Sequence, residues 1–327
     1  MNFDRLCAEL SLGAMTAPPL RLHGGFTHRM FRLRTERGDY AVKLLNPEIM
    51  QRPDALDNYR TAEGFEALLE AAGLPILPAK VIGGRKMQCV DGQHLYVFDY
   101  FDGAPLQGAE ITPDHCARMG AVLAGIHGVC RGEAAPPQEG SPGGRAHWEA
   151  LAEALLASDD AGPEGEALRD ALPLLERASA AASDAARRLP PVQALCHNDM
   201  DPKNVLWRGG EFRIIDLECL GWADPRQELL DLAIAWSGGE EACFKAFVAA
   251  YRAAGGAPLT DAALVYDARR NHLEWLAYNA RRALFDDAEE RRIAREQIRA
   301  ALGQLREDAA LRERRLRWLT ELPCPAP

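Results

Sequence analysis

The sequence predicts an α+β chain, with a small antiparallel sheet and one helix followed by a larger, mainly helical lobe. Three observations carry this expectation. Strand patterns punctuated by Arg37-Gly38-Asp39 and Asp91-Gly92 fill the first hundred residues. Helical periodicity dominates from Thr112 onward. Between the later helices lies a polar loop, Cys196 to Asn204, followed by the apolar run Arg213-Ile214-Ile215 that ends in Asp216. The expected division is an N-terminal lobe over 1–102, a hinge near 98–103, and a helical lobe over 103–327 with an insert at 131–190.

The elements follow in order. Leu20 to His23 reads as a short strand ending in Gly24-Gly25, and Met30 to Thr35 and Tyr40 to Leu45 form a hairpin. A helix with an apolar face of Phe65, Leu68, Leu69 and Ala72 comes next, stopped by Gly73-Leu74-Pro75. Lys86 to Val90 and His94 to Tyr100 pair across Asp91-Gly92, and Phe101 to Pro105 connects onward. Thr112-Pro113-Asp114 starts a helix that runs to about Cys130, because a cap followed by proline suits a first turn. Residues 131–145 are rich in Gly and Pro and read as a loop. Alanine-rich helices are expected over 147–158 and 164–187, then from about 226, with long helical patterns over 262–320.

Composition narrows the function classes. The chain is 47% hydrophobic and 26% charged, as globular proteins are, and its 327 residues suffice for two lobes. No apolar run approaches the length of a membrane helix, and the N-terminus lacks a signal peptide's apolar core, so a cytoplasmic protein is expected. A net charge of −10 without a basic, aromatic-laced stripe argues against a nucleic-acid partner. The eight cysteines form no CxxC pair and no cluster with histidine, which points to free thiols in a reducing compartment. Arg–Glu pairs such as Glu289, Glu290, Arg291, Arg292, Arg295 and Glu296 read as a solvated helix face.

The chemistry is written in His197-Asn198-Asp199-Met200-Asp201-Pro202-Lys203-Asn204 and Ile215-Asp216. An aspartate, an asparagine five residues on, and a second aspartate twelve further on, after an apolar strand, match the needs of phosphoryl transfer. Asp199 is the candidate base for an attacking hydroxyl. Asn204 and Asp216 offer the oxygens a hard cation such as Mg2+ requires. His197 reads as a buried support for the loop. Lys43, in Tyr40-Ala41-Val42-Lys43, is the candidate cation for nucleotide phosphates. A buried lysine needs a carboxylate partner, and Glu63 is the first choice among Glu63, Glu66 and Glu70. Gly24, Gly25 and Thr27 lie upstream, where glycine backbone can approach phosphate closely.

These residues resemble the aminoglycoside phosphotransferase and choline kinase-like family, small-molecule kinases with the two-lobed protein-kinase-like fold. The resemblance spans roughly 20 to 285. It implies ATP, or GTP, with Mg2+ as cofactors. It further implies backbone pairing of adenine near Asp99 and Phe101 in Val97-Phe98-Asp99-Tyr100-Phe101, and a small-molecule acceptor as the other partner. Leu123-Ala124-Gly125-Ile126-His127 is similar to the family's segment in the first helix of the large lobe. Asn198 stands where protein kinases carry arginine, and only fourteen residues separate Asp216 from Asp231, too few for a segment that grips a peptide.

The resemblance implies an ATP-dependent O-phosphotransferase, aminoglycoside phosphotransferase-like, acting on a hydroxyl of a small amine-bearing molecule such as a sugar or antibiotic. Lys203 could neutralise transition-state charge. Asp201, Glu218, Glu274, Trp275 and Tyr278 are candidate acceptor contacts, the aromatic pair through cation–π attraction. Glu218, after Ile215-Asp216-Leu217, resembles the choline kinase side and could reach metal or a cationic substrate. A metabolic kinase for choline, ethanolamine or homoserine is the rival reading. A nucleotide-binding pseudokinase is a third, opposed by the intact set of Lys43, Asp199, Asn204 and Asp216.

Overall fold

A computed structural model describes residues 1–22, 28–131, 143–158 and 160–322. The chain is α+β, as its sequence predicts, and packs as two compact units. One comprises Met1–Thr112, Gly125–Arg131 and Leu195–Ala223; the other comprises Pro113–Ala124, Gly132–Ala194 and Asp224–Pro327.

The first unit opens with α1 (Phe3–Glu9), whose Arg5 N–H is capped by the Asn2 side chain. A five-stranded antiparallel sheet follows in the order β1-β2-β3-β5-β4, with β1 Leu20–Leu22, β2 Arg29–Thr35, β3 Gly38–Leu44, β4 Gln88–Val90 and β5 Gln93–Asp99. The β4–β5 hairpin turns through Asp91 (φ 51°) and Gly92 (φ 76°). Two successive left-handed residues give the turn whose twist matches the strands, which is why Asp-Gly reads so clearly. Period-two alternation sends Val42 and Leu44 of β3 into one core with Leu33, Leu95, Val97 and, from α1, Leu6. Lys43 therefore faces the other side, opposite Tyr96.

Beyond β3, α2 (Pro47–Met50) leads into α3 (Ala55–Ala71). The sequence places Phe65, Leu68, Leu69 and Ala72 on the inner face of α3; the structure rotates that face. Buried are Ala55, Tyr59, Ala62, Glu66 and Leu69, while Leu68 is 44% exposed. A buried carboxylate explains the shift, because Glu66 accepts from Lys86 Nζ and from the Ala79 N–H, both at 2.7 Å. A hydrophobicity pattern cannot anticipate a satisfied charge.

Three further strands join as β6-β8-β9, with β6 Ala104–Pro105, β8 Val205–Arg208 and β9 Glu211–Ile214, and β7 (Ala194–Cys196) pairs β10 (Gly221–Ala223). The β8–β9 hairpin brings Val205 opposite Ile214. That register puts Asn204 and Ile215 side by side, joined by an Ile215 N–H to Asn204 carbonyl bond of 2.9 Å.

The second unit is helical. α4 (Pro113–Val129) has residues in both units; α5 (Arg145–Leu156), α6 (Pro163–Asp170) and α7 (Leu172–Arg188) follow, then α8 (Pro225–Ser237), α9 (Glu241–Ala253), α10 (Ala262–Ala268), α11 (Asn271–Arg282) and α12 (Ala288–Glu321). The single helix expected over 164–187 is two, because Pro173, which lacks an N–H, opens a new first turn. Trp148, Leu168, Leu175, Leu273, Leu276, Ile298 and Leu302 form the core. At Gly120 a Cβ would lie 2.1 Å from the Phe247 carbonyl oxygen, so only glycine lets α4 approach α9. Arg269 binds Asp231 at 2.9 Å and Asp308 at 2.7 Å, and Arg315 and the Tyr266 hydroxyl also donate to Asp308. This ionic lattice ties α8 and α10 to α12.

Candidate active site

The residues on which the phosphoryl-transfer expectation rests belong to the first unit. Asp199 and Asn204 lie between β7 and β8, Asp216 follows β9, and Lys43 stands on central strand β3. Two separate ion-pair groups organise them.

In the first group Lys43 Nζ donates to Asp216 Oδ1 and Glu218 Oε2, each at 2.5 Å. Burial opposes the charged lysine, but Asp216 and Glu218 outweigh it and hold the ammonium above its ordinary pKa. Burial likewise pushes the Glu218 carboxyl up, yet Lys43 and His28 dominate and bring it to about 2. Asp216 sits in the left-handed region (φ 64°, ψ 55°), uncommon for a residue with a side chain. The bond to Lys43 is an observed constraint on that strained conformation.

The second group is the loop itself. Lys203 Nζ donates to Asp199 Oδ1 at 2.6 Å and to Asp201 Oδ2 at 3.2 Å. Asn204 Nδ2 donates to the Asp199 carbonyl at 2.7 Å and to Asp199 Oδ2 at 2.8 Å. With its amide nitrogen committed to Asp199, Asn204 turns its oxygen elsewhere. Burial raises the pKa of Asp199; Lys203 opposes the rise, and Asp201 and Asp216 add to it. His197 is fully buried and its Nδ1 accepts the Asp199 N–H at 3.3 Å, so it supports the loop backbone.

Other predicted residues are placed differently. Glu63 is not the partner of Lys43: it accepts from the Tyr96 hydroxyl at 2.9 Å and the Met87 N–H at 3.1 Å. The lysine's partners come from the segment after β9, 175 residues away in sequence for Glu218, a distance no local pattern spans. Both oxygens of Glu218 are engaged, one with Lys43 and one with His28. Asp99 pairs its side chain with Lys80 at 2.6 Å. The Tyr100 N–H binds the Asp39 carbonyl, so by strand alternation the Asp99 backbone amide and carbonyl face away from β3. The Phe101 carbonyl accepts from the Gly103 N–H at 2.9 Å. Gly24, Gly25 and Thr27 lie outside the described residues.

The proposed acceptor contacts on α11 belong to the second unit. Glu274 is exposed and pairs with Arg270 at 3.3 Å. Trp275 packs against the helical core, donates its Nε1–H to Gln297, and stacks on Tyr278 with ring centroids 5.5 Å apart. Sequence reasoning missed His28. It follows a glycine pair that draws attention to backbone, and its partners are remote in sequence.

Four carboxylates, Asp199, Asp201, Asp216 and Glu218, face two lysines, Lys43 and Lys203. The excess of negative charge, with oxygen donors on Asn204 and Asp216, fits a hard divalent cation.

Fold and site together define a phosphotransferase. The sequence profile described as the phosphotransferase enzyme family matches residues 20–265, and the chain belongs to that family. No curated protein sequence matches it. Among solved structures it is similar to a spectinomycin phosphotransferase in complex with ADP and spectinomycin (14% identity over 93% of this chain and 97% of that chain, TM-score 0.68). It is also similar to a microcompartment-associated aminopropanol kinase (16%, 96% and 98%, TM-score 0.64) and to a choline/ethanolamine kinase family protein from Mesorhizobium loti (21%, 93% and 95%, TM-score 0.56). These likenesses are likenesses of fold. Among the described residues no helix is long and apolar enough to cross a membrane.

Proposed function

We propose that the chain transfers the γ-phosphate of ATP, with Mg2+, to a hydroxyl of a small amine-bearing molecule. The observation that carries this reading is the pairing of Asp199 with Lys203 and Asn204 beside a second centre of Lys43, Asp216 and Glu218, all in one compact unit. Asp199 accepts the proton of the attacking hydroxyl, and burial, by raising its pKa, makes it a stronger base than a free aspartate. Asn204 fixes the Asp199 carboxylate and leaves its own oxygen for the metal, shared with Asp216. The cation, when bound, neutralises charge on the transferring phosphoryl group. Lys43 grips the nucleotide's phosphates, and Glu218 takes the anchoring role expected of Glu63. Lys203, already within reach of Asp199, balances the negative charge that gathers there.

The amine on the acceptor is supported by the excess of carboxylates and by the fold relatives, whose names include spectinomycin, ethanolamine and aminopropanol. The test is ADP release with ATP or GTP against a panel of aminoglycosides and amino alcohols. Stimulation by one class identifies the acceptor. An Asp199→Asn chain that kept full turnover on that acceptor would overturn the assignment, and a wild-type chain that bound no nucleotide would favour a different function altogether.

A further inference from the structure

His28 has no task in the reading above, yet three groups converge on its ring. The side chain is 4% exposed. The Asn46 backbone N–H points at Nδ1 from 3.0 Å. A backbone N–H can only donate, so Nδ1 carries the lone pair and the ring proton belongs on Nε2. Nε2–H then donates to Glu218 Oε1 at 3.1 Å, and the Tyr59 hydroxyl lies 3.2 Å from the same nitrogen. The other oxygen of Glu218 accepts from Lys43.

The connections close on themselves. Asn46 lies just beyond the end of β3, the strand that carries Lys43. The Asn46 N–H, on the chain leaving β3, sets the histidine ring, the ring sets one oxygen of Glu218, and the other oxygen holds the lysine that β3 projects. Both ring nitrogens are occupied, so His28 is not available as a proton shuttle or a ligand. A space-filling role would need neither nitrogen.

We propose that His28 is a positioning residue for phosphoryl transfer: its Nε2–H fixes Glu218, and Glu218 in turn presents Lys43 to the nucleotide's phosphates. The proposal rests on the functional reading of Lys43, and the two can fail separately.

His28→Phe keeps the ring volume and removes both hydrogen bonds, whereas His28→Gln restores a side-chain N–H near the Nε2 position. The expected result is a rise of about tenfold in the KM for ATP in His28→Phe, with kcat changed much less, and recovery of most of that loss in His28→Gln. Adding His28→Phe to Glu218→Gln should cost no further activity, because both act along one path. A spectrum of protein labelled with 15N-histidine gives a readout that needs no turnover. The resonance that His28→Phe deletes should show a protonated Nε2 and an unprotonated Nδ1 at neutral pH. A folded His28→Phe chain with an unchanged KM, losses that multiply in the double variant, or a ring proton on Nδ1 would each overturn the proposal. If His28→Phe does not fold, the wild-type resonance, assigned in His28→Gln, and the KM of His28→Gln decide it. Failure of the wild-type chain to bind ATP counts instead against the functional reading on which the proposal stands.

Discussion

Asp199 is held by its own loop, with Lys203 on one oxygen and Asn204 on the other. Made an amide, the side chain keeps one accepting oxygen, so it loses one of these two bonds together with the proton-accepting role proposed for it. Asp199→Asn is expected to lower kcat by about 10²–10⁴, the usual worth of general base catalysis, with the KM for ATP within about threefold of wild type. Steady-state kinetics with the identified acceptor checks it. The two glutamates divide just as sharply. Glu218→Gln should raise the KM for ATP at least several-fold, whereas Glu63→Gln should leave it nearly unchanged and cost about 1 kcal/mol of stability through its bonds to Tyr96 and Met87. Asp199, Asn204 and Asp216 are legible in the sequence as candidate site residues because one loop and one hairpin carry them. The anchor of Lys43 is not legible, because the choice among carboxylates is made by strand register and by the left-handed turn at Asp216, which local spacing does not encode.

Among the elements, the strands and their turns are the most legible in the sequence, since Asp91-Gly92 supplies two left-handed residues where a tight hairpin needs them. The helices are less legible for two physical reasons. Glu66 buries a charge satisfied by Lys86 and a backbone N–H, which rotates the inner face of α3 away from the apolar stripe. Pro173 suits a first turn as well as a break, and here it starts α7. Gly120 makes a prediction at this scale. Gly120→Ala sets a methyl against the Phe247 carbonyl, so α4 and α9 must separate, at a cost of about 1–3 kcal/mol read by denaturant unfolding. The lattice that joins α8, α10 and α12 makes another. Burial raises the pKa of Asp308, but Arg269, Tyr266 and Arg315 overcome that and depress it. A carboxylate with a depressed folded-state pKa contributes stability that is full above the ordinary carboxylate range and is lost as pH falls through its lowered value. Asp308→Asn should therefore cost about 3 kcal/mol at pH 7, with the gap to wild type closing progressively below about pH 4. Urea titrations across that range would show a constant gap if the reading is wrong.

At the scale of the whole molecule, an α+β architecture with a strand-rich beginning and a helical remainder was visible from periodicity alone, because each half keeps one period over a long span. What periodicity does not reveal is how the chain groups. Leu195–Ala223 follows a long helical stretch in sequence and yet packs with the N-terminal sheet in one compact unit. On the proposed reading, the carboxylate excess at the site makes a divalent cation a condition of tight nucleotide binding. ADP with Mg2+ at about a hundred times its Kd should stabilise the chain by about 2.7 kcal/mol, seen as a rise in Tm of a few degrees. A chelator should remove most of that rise, and a rise of equal size without any divalent ion would contradict it.

Lys43 has three N–H groups, and two carboxylates already claim it. On the proposed reading, a nucleotide that draws this ammonium onto its phosphates releases an oxygen of Asp216 at the moment a cation can use it. Each ligand thereby prepares the place of the other, and linkage requires the favour to be returned in equal measure. The two should bind as a matched pair, each weakly alone, so that a site shared between ligands also acts as a check that both are present.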